Sequence, residues 1–182
     1  MIDNSKLPAV LAVGLVLLLL AGMISCRSQE ERPAPENRFP PREMAAFALP
    51  ALPGGETVAS DRFRDRVMLV TFFATWCQAC LEEIETMKKL QRAYSGRGLV
   101  VLGISVDAGD TNAMANLIRQ AEISYPVLQG NEAIRKNFGP ISVIPTAFLV
   151  NRQGMIVRKY VGNLARRSLG RDIEEMLEGS EE

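Results

Sequence analysis

The chain has 182 residues, 47% of them hydrophobic, which suffices for one domain of ordinary size with a buried core plus an appendage. Its 21 basic and 21 acidic residues cancel, so the charge gives no case for a nucleic-acid partner. No histidine is present, which excludes a histidine-bound metal site and a catalytic Cys–His or Ser–His pair.

The chain begins with an uncharged run from Leu7 to Ile24, about as long as a helix that spans a bilayer core. We interpret residues 1–26 as a signal peptide or membrane anchor rather than as part of the fold. The run ends in Met23-Ile24-Ser25-Cys26, which resembles a bacterial lipobox, so Cys26 is a candidate for lipidation. A lipoprotein and an uncleaved anchor both remain open, and both predict a domain on the extracytoplasmic side, in the cell envelope.

Residues 27–43 are rich in proline and charge and poor in large apolar side chains, which predicts a flexible tether. Next, Ala46–Leu52 and Thr57–Ala59 flank the turn signal Pro53-Gly54-Gly55-Glu56, a pattern that predicts an N-terminal β-hairpin. The apolar run Val67–Phe73 then predicts a strand that is buried on both faces of a sheet.

Helical and strand patterns alternate along the rest of the chain. From Ala79 through Tyr94 the apolar residues recur at three- and four-residue spacing, which predicts an amphipathic helix. With the strand before it and a buried strand at Leu99–Val106, this helix forms a βαβ unit. The later elements are a helix at 113–121, an extended piece at 125–128, a short helix at 132–138, a hairpin at 147–161 and a last helix at 164–177. This order predicts one α/β domain over residues 44–178, followed by an acidic tail at 179–182.

The main chemical signal is Trp76-Cys77-Gln78-Ala79-Cys80, where the strand pattern changes into the helical one. This spacing places Cys77 at a helix N-terminus and Cys80 one turn further on. The free N–H groups of a helix start can lower a cysteine pKa from about 8.5 to roughly 3.5–7.5. We therefore expect Cys77 to be the attacking thiolate and Cys80 to resolve the mixed disulfide. Trp76 is expected to shield the pair and to offer an apolar contact to a partner chain.

Two other interpretations of Cys77 and Cys80 fit the residues less well. Half of a zinc site would need a second Cys-x-x-Cys pair or histidines, and the sequence has neither. A purely structural disulfide across so short a loop would constrain very little chain. We therefore predict a redox-active dithiol and no metal site.

The run Phe73-Ala74-Thr75-Trp76-Cys77-x-x-Cys80 and the later Ile144-Pro145-Thr146 resemble the thioredoxin fold. The apolar N-terminus, the hairpin and the Ala-Thr-Trp-Cys sequence resemble, more narrowly, the membrane-tethered extracytoplasmic group typified by ResA, TlpA and CcmG. This resemblance implies a thioredoxin-like α/β fold with a central mixed sheet, flanking helices and an N-terminal β-hairpin extension. It also implies a redox-active Cys77–Cys80 disulfide and no further cofactor.

The resemblance also implies a role for the Ile-Pro-Thr motif. In that family its proline is cis and lies against the dithiol, so Pro145, with Ile144 and Thr146, is expected to support the active site and to pair with an extended partner. The competing interpretation of Pro145 is an ordinary turn before a strand.

The family uses an acidic residue one turn after the second cysteine, and Glu83 occupies that position. If Glu83 is buried, its pKa would be raised and it could take the proton from Cys80. Cytoplasmic thioredoxins carry a buried aspartate, which serves as a base, where this chain has Thr71. This difference strengthens the case for Glu83 as the proton acceptor. The competing interpretation is a solvated helix residue, like Glu82 and Glu85.

We therefore predict an extracytoplasmic, membrane-tethered thiol:disulfide oxidoreductase that reduces disulfides, with cytochrome c maturation as its pathway. The expected partners are protein thiols and disulfides, among them apocytochrome c or another redox carrier, and a membrane electron donor. One alternative is a peroxiredoxin-like peroxidase, which Val70 and Ala74 disfavour because peroxiredoxins carry proline and threonine or serine there. The other is a tethered module that binds Cu(I) or a partner through the thiolates of Cys77 and Cys80.

Overall fold

A mixed β-sheet organises the part of the chain that the structure describes. This structure, a computed structural model, describes residues 38–109, 111–162 and 166–179. The strands are β1 (Arg38–Glu43), β2 (Ala48–Leu52), β3 (Thr57–Ala59), β4 (Val67–Phe73), β5 (Leu99–Ser105), β6 (Val127–Gln129), β7 (Thr146–Val150) and β8 (Met155–Val161). The helices are α1 (Gln78–Tyr94), α2 (Asn112–Gln120), α3 (Glu132–Phe138) and α4 (Arg166–Glu178).

The strands follow the order β1-β8-β7-β4-β5-β6-β2-β3. At the centre, β4 pairs in parallel with β5 and antiparallel with β7, and every residue of β4 and β5 is buried. Such continuous apolar strands suit a sheet that is covered on both faces. The predicted βαβ unit, the β2–β3 hairpin and the β7–β8 hairpin are all confirmed.

Neighbouring residues of β4 point to opposite faces of the sheet, so Leu69 and Val70 belong to two different buried clusters. The Leu69 cluster contains Cys77 and Cys80 together with side chains of helices α1, α2 and α4: Met87, Met114, Leu169, Ile173 and Leu177. The disulfide region is thus part of the core on the face that α1 and α4 cover.

The opposite face is centred on three aromatic rings, those of Phe72, Phe138 and Phe148. Their centroids lie 5.2, 5.4 and 5.9 Å apart, within the range of favourable edge-to-face and tilted packing. Burying one such ring stabilises the fold by roughly 1.5–3 kcal/mol. These contacts fix α3, and the loop that follows it, against the centre of the sheet.

The tether predicted over residues 27–43 is wrong for its last six residues, because Arg38–Glu43 form strand β1. Among the described strands it lies at the edge of the sheet and pairs with β8 alone, in an irregular register. Pro40 and Pro41 are compatible with such a position, because an edge strand tolerates residues without an N–H group. The domain therefore begins before residue 44.

The predicted N-terminal segment, the remaining tether and Cys26 lie outside the described residues, as do residues 180–182 of the predicted acidic tail. Across 38–109, 111–162 and 166–179, none of the helices combines the length and apolar character that a membrane crossing requires.

Candidate active site

The two cysteines lie where β4 passes into α1. Cys77 is the N-cap of α1, and its N–H donates to the carbonyl of Ala74 at 3.2 Å, which closes a tight turn after the strand. Cys77 and Cys80 form a disulfide with a Cα–Cα distance of 5.2 Å. The predicted dithiol/disulfide pair is therefore present at the start of a helix.

The local geometry gives the two sulfurs different surroundings. The backbone N–H of Cys80 donates to the Sγ of Cys77 at 3.3 Å, so the helix start already offers a donor to that sulfur. Cys77 is 8% exposed and Cys80 is 3% exposed. In the dithiol form this donor and the helix dipole would favour the thiolate of Cys77, and access favours attack by Cys77 rather than Cys80.

Trp76 is 72% exposed. An indole with this exposure covers little of the disulfide, so the shielding part of the prediction for Trp76 finds little support in the geometry. The apolar ring is instead available for contact with another chain, which is the second part of that prediction.

The Ile144–Pro145 peptide bond is cis, as the resemblance implies. Pro145 is buried and lines a small cavity together with Cys80, while Ile144 packs against the cluster that contains both cysteines. Thr146 begins β7, and its hydroxyl donates to the carbonyl of Val143 at 2.6 Å, which closes the loop. The geometry brings the motif beside the dithiol, and its role in partner binding stays a prediction.

Glu83 lies one turn after Cys80 and is only 6% exposed, whereas Glu82 and Glu85 are exposed. The interpretation of Glu83 as a solvated helix residue is therefore wrong. Glu83 lines the same small cavity as Pro145, together with Thr71, Cys80 and Tyr125. The volume of this cavity is about 10 Å³. Burial raises the pKa of Tyr125, and the negative charge of Glu83 raises it further. The role of Glu83 as proton acceptor for Cys80 stays a prediction.

One residue with direct contacts to the active-site loop was not predicted. The carboxylate of Asp107, just after β5, accepts hydrogen bonds from the backbone N–H of Thr75 at 3.1 and 3.2 Å and from the Thr75 hydroxyl at 2.9 Å. The hydroxyl of Ser105 donates to the same carboxylate at 3.1 Å. We call Thr75, Ser105 and Asp107 the carboxylate clamp. A sequence signal did exist, since polar residues at the ends of adjacent parallel strands meet at one edge of the sheet.

An open cleft of about 1040 Å³ lies beside the clamp. Its lining includes Asp107, Gln129 and Asn131 on one part and the cationic side chains of Arg42, Arg135 and Lys136 on another. The sequence did not predict it, because its walls come from segments that are distant along the chain.

Comparison with known proteins agrees with this geometry. A sequence model described as the AhpC/TSA family matches residues 40–159, which include both cysteines and Pro145. The chain belongs to the AhpC/TSA family.

Relatives of this AhpC/TSA-family protein include the thiol-disulfide oxidoreductase ResA of Bacillus cereus, which is 26% identical over 158 residues, covering 85% of this chain and 89% of ResA. A thiol:disulfide interchange protein of the thioredoxin family from Chlorobium tepidum matches with a TM-score of 0.68 and 27% identity, over 75% of this chain and 97% of that one. StoA of Bacillus subtilis, with a TM-score of 0.59 and 18% identity over 70% of this chain and 96% of StoA, shares the fold.

Together these observations establish a thioredoxin-like fold and a thiol-disulfide oxidoreductase of the ResA type. Its reactive group is the Cys77–Cys80 disulfide. Within the described ranges, no group of three or more histidine, cysteine or acidic side chains could hold a metal ion.

Proposed function

We propose that this AhpC/TSA-family protein is a membrane-tethered, extracytoplasmic oxidoreductase that reduces disulfides of partner proteins. The observation that carries the proposal is the disulfide at the start of α1, with the more accessible Cys77 outside and the buried Glu83 behind Cys80. Apocytochrome c or another redox carrier is the proposed substrate, and a membrane dithiol the proposed electron donor.

The proposed direction of electron flow is supported by the charge near Cys80. Strongly oxidising dithiol proteins stabilise their reduced, thiolate form. Here the carboxylate of Glu83 lies in the same cavity as Cys80 and disfavours a second negative charge on that sulfur. An ionised Glu83 would thus withhold thiolate stabilisation from Cys80 in the dithiol, which supports the proposal that the dithiol passes its electrons to a partner.

The reaction begins when the thiolate of Cys77 attacks one sulfur of the partner disulfide, and the other partner sulfur leaves as a thiolate. Cys80 then gives its proton to Glu83 and attacks the Sγ of Cys77. The second partner sulfur leaves as a thiolate, the Cys77–Cys80 disulfide forms, and the two partner thiolates take up one proton from Glu83 and one from solvent. Two electrons and two protons from the membrane dithiol donor restore the reduced protein.

The surface around the disulfide suits a polypeptide partner. The large hydrophobic side chains with high exposure in the described ranges are Trp76, Val143 and Val161. Trp76 precedes Cys77, Val143 lies in the loop before Pro145, and Val161 pairs with Thr146 across β7 and β8. Apolar side chains gathered at a reactive site favour docking of an apolar segment of another protein.

Tethering rests on the sequence of residues 1–26, with either lipidated Cys26 or an uncleaved anchor. Membrane fractionation of cells that express the full chain tests it, with a Cys26→Ser variant as the comparison. Release of this variant supports lipidation, and retention supports an uncleaved anchor. Wild-type protein in the soluble fraction would contradict both forms of the proposal.

Trapping tests the function itself. The Cys80→Ala variant of the full chain lacks the resolving thiol, so partners should accumulate on Cys77 as mixed disulfides that a reducing agent releases. The matched control is the Cys77→Ala, Cys80→Ala double variant. If the same proteins are captured by the control, or none by Cys80→Ala, the proposed roles of the two cysteines are wrong.

A further inference from the structure

The carboxylate clamp connects two loops that the sheet brings to one edge. β4 and β5 run in parallel up to the pair Phe73 and Ser105, and beyond that pair Val106 donates its N–H to the carbonyl of Phe73 at 2.9 Å. The next residue, Asp107, then turns its carboxylate to the backbone and hydroxyl of Thr75. The clamp therefore holds the chain two residues before Cys77.

The clamp is itself held in place. Ser105 is fully buried, its hydroxyl donates to the carboxylate of Asp107, and it accepts from the N–H of Asp107 at 3.2 Å. The side-chain amide of Gln129 donates to the carbonyl of Asp107 at 2.9 Å. Asp107 is thus held by hydrogen bonds from Ser105 in β5 and Gln129 in β6, and its carboxylate in turn restrains Thr75.

The clamp matters most when the disulfide is open. In the oxidised protein the S–S bond ties Cys77 to α1, but in the dithiol this bond is absent. The contact between the Cys77 sulfur and the Cys80 N–H then depends on the backbone path from Ala74 to Cys77. A carboxylate that binds both the N–H and the hydroxyl of Thr75 restrains that path, because hydrogen bonds to charged groups are stronger than neutral ones.

We propose that Asp107 is a positioning residue for the redox reaction: through Thr75 it holds the reduced active-site loop so that the Cys77 sulfur stays at the N-terminus of α1. The inference rests on thiol-disulfide exchange at Cys77 and not on the direction of electron flow, the partner or the membrane anchor.

The charge of Asp107 and the restraint that it places on Thr75 have opposite effects on the pKa of Cys77. A nearby negative charge disfavours a thiolate, whereas a restrained loop keeps the thiolate beside the Cys80 N–H and the helix start. Removing Asp107 alone mixes the two effects. Thr75 separates them, because Thr75→Val removes the hydroxyl and leaves the carboxylate, while Thr75→Ser keeps the hydroxyl.

The experiment measures the rate of iodoacetamide alkylation of Cys77 against pH in the full chain. A Cys26→Ser, Cys80→Ala background leaves Cys77 as the only thiol of the three. Thr75→Val is expected to raise the pKa of Cys77 by about half to one unit, which slows alkylation below that pKa by roughly three- to tenfold. Thr75→Ser is expected to keep the profile of the background protein.

A double-mutant cycle then tests whether Thr75 acts through Asp107. In an Asp107→Ala background, Thr75→Val should cause no further change in the profile. The proposal is overturned if Thr75→Val leaves the pKa of Cys77 unchanged, if Thr75→Ser shifts it equally, or if the Thr75→Val shift persists without Asp107.

Urea unfolding of each variant serves as the control for folding. If Asp107→Ala does not fold, Ser105→Ala replaces it in the cycle, since it removes one hydrogen bond to the carboxylate. Thr75→Val should then shift the profile less in the Ser105→Ala background than alone, and an undiminished shift overturns the proposal. The trapping and fractionation experiments do not affect the alkylation profiles of Cys77. The proposed function and the positioning role of Asp107 can therefore fail separately.

Discussion

Glu83→Gln provides the sharpest test of the chemistry at the dithiol. The substitution removes one negative charge and keeps the size of a side chain that is almost fully buried. Residues three apart on a helix have Cβ atoms about 5–6 Å apart, which sets the scale for Cys80 and Glu83. At about 6 Å and an effective dielectric constant of about 20, two charges interact by about 2.8 kcal/mol, or about two pKa units.

We therefore expect Glu83→Gln to lower the pKa of Cys80 by up to about two units. The sign follows from charge: without the carboxylate, the thiolate loses a repulsive neighbour. Stabilising the reduced form should also move the redox potential of the pair in the less negative direction. Thiol titration by NMR of cysteine labelled at Cβ measures the first effect, and equilibration with glutathione buffers measures the second.

Glu82→Gln is the matched control, because Glu82 precedes Glu83 on α1 and is exposed. Its charge acts through solvent, so its removal should leave the titration of both cysteines nearly unchanged. Identical titration curves for Glu83→Gln and the wild type would refute the assigned role of Glu83. Equal shifts for the two variants would show that the effect is not specific to the buried position.

Three further predictions address docking, stability and the alternative chemistry. Trp76→Ala should raise KM for a protein disulfide roughly thirtyfold or more, since a buried interface tryptophan contributes about 2 kcal/mol or more. The reduction of a small aromatic disulfide should stay unchanged, and equal effects on both substrates would exclude a docking role. Tyr160→Phe removes the 2.6 Å bond to Asp172 and should lower the free energy of unfolding by about 1–3 kcal/mol. Burial and this bond raise the pKa of Tyr160 above its ordinary value, so the unfolded chain loses its tyrosine proton first as pH rises. The free energy of unfolding of the wild type should therefore fall above about pH 10, and that of Tyr160→Phe should fall less. Urea-unfolding curves that show no pH dependence there would contradict this. The reduced protein should not consume peroxide stoichiometrically, because Val70 and Ala74 replace the peroxiredoxin residues, and stoichiometric loss in a peroxide assay would restore the peroxidase interpretation.

The order of the central elements was predictable because it depends on local patterns. An apolar run of β-branched and aromatic residues specifies β4 whatever its neighbours are, and the spacing of apolar residues specifies α1. The distance between Cys77 and Cys80 is also local, since both belong to the first turn of one helix. The redox-active dithiol could therefore be predicted from five consecutive residues once the rest of the sequence had excluded a zinc site.

Strand β1 shows where local patterns fail. Its sequence, Arg-Phe-Pro-Pro-Arg-Glu, has the composition of a tether, and two prolines oppose a strand. It becomes a strand because the free edge of β8 offers hydrogen-bonding partners to it. Pairing with β8 outweighs the local conformational preference of these residues. Because β8 lies more than 100 residues further along the chain, the residues around β1 give no sign of this pairing.

By itself the sequence determined the dithiol, the helix start that activates it and the elements on either side, because each depends on residues a few positions apart. Only the tertiary structure decided which acidic groups reach the dithiol. The sequence singled out Glu83 through the family resemblance and left open a solvated residue like Glu82 and Glu85. Packing of α1 buries Glu83 alone of these three, in a cavity that Cys80 also lines. Asp107 reaches Thr75 from 32 positions away because parallel pairing of β4 and β5 brings their ends together. Long-range packing, which no local pattern encodes, therefore selects the groups that surround the reactive sulfurs.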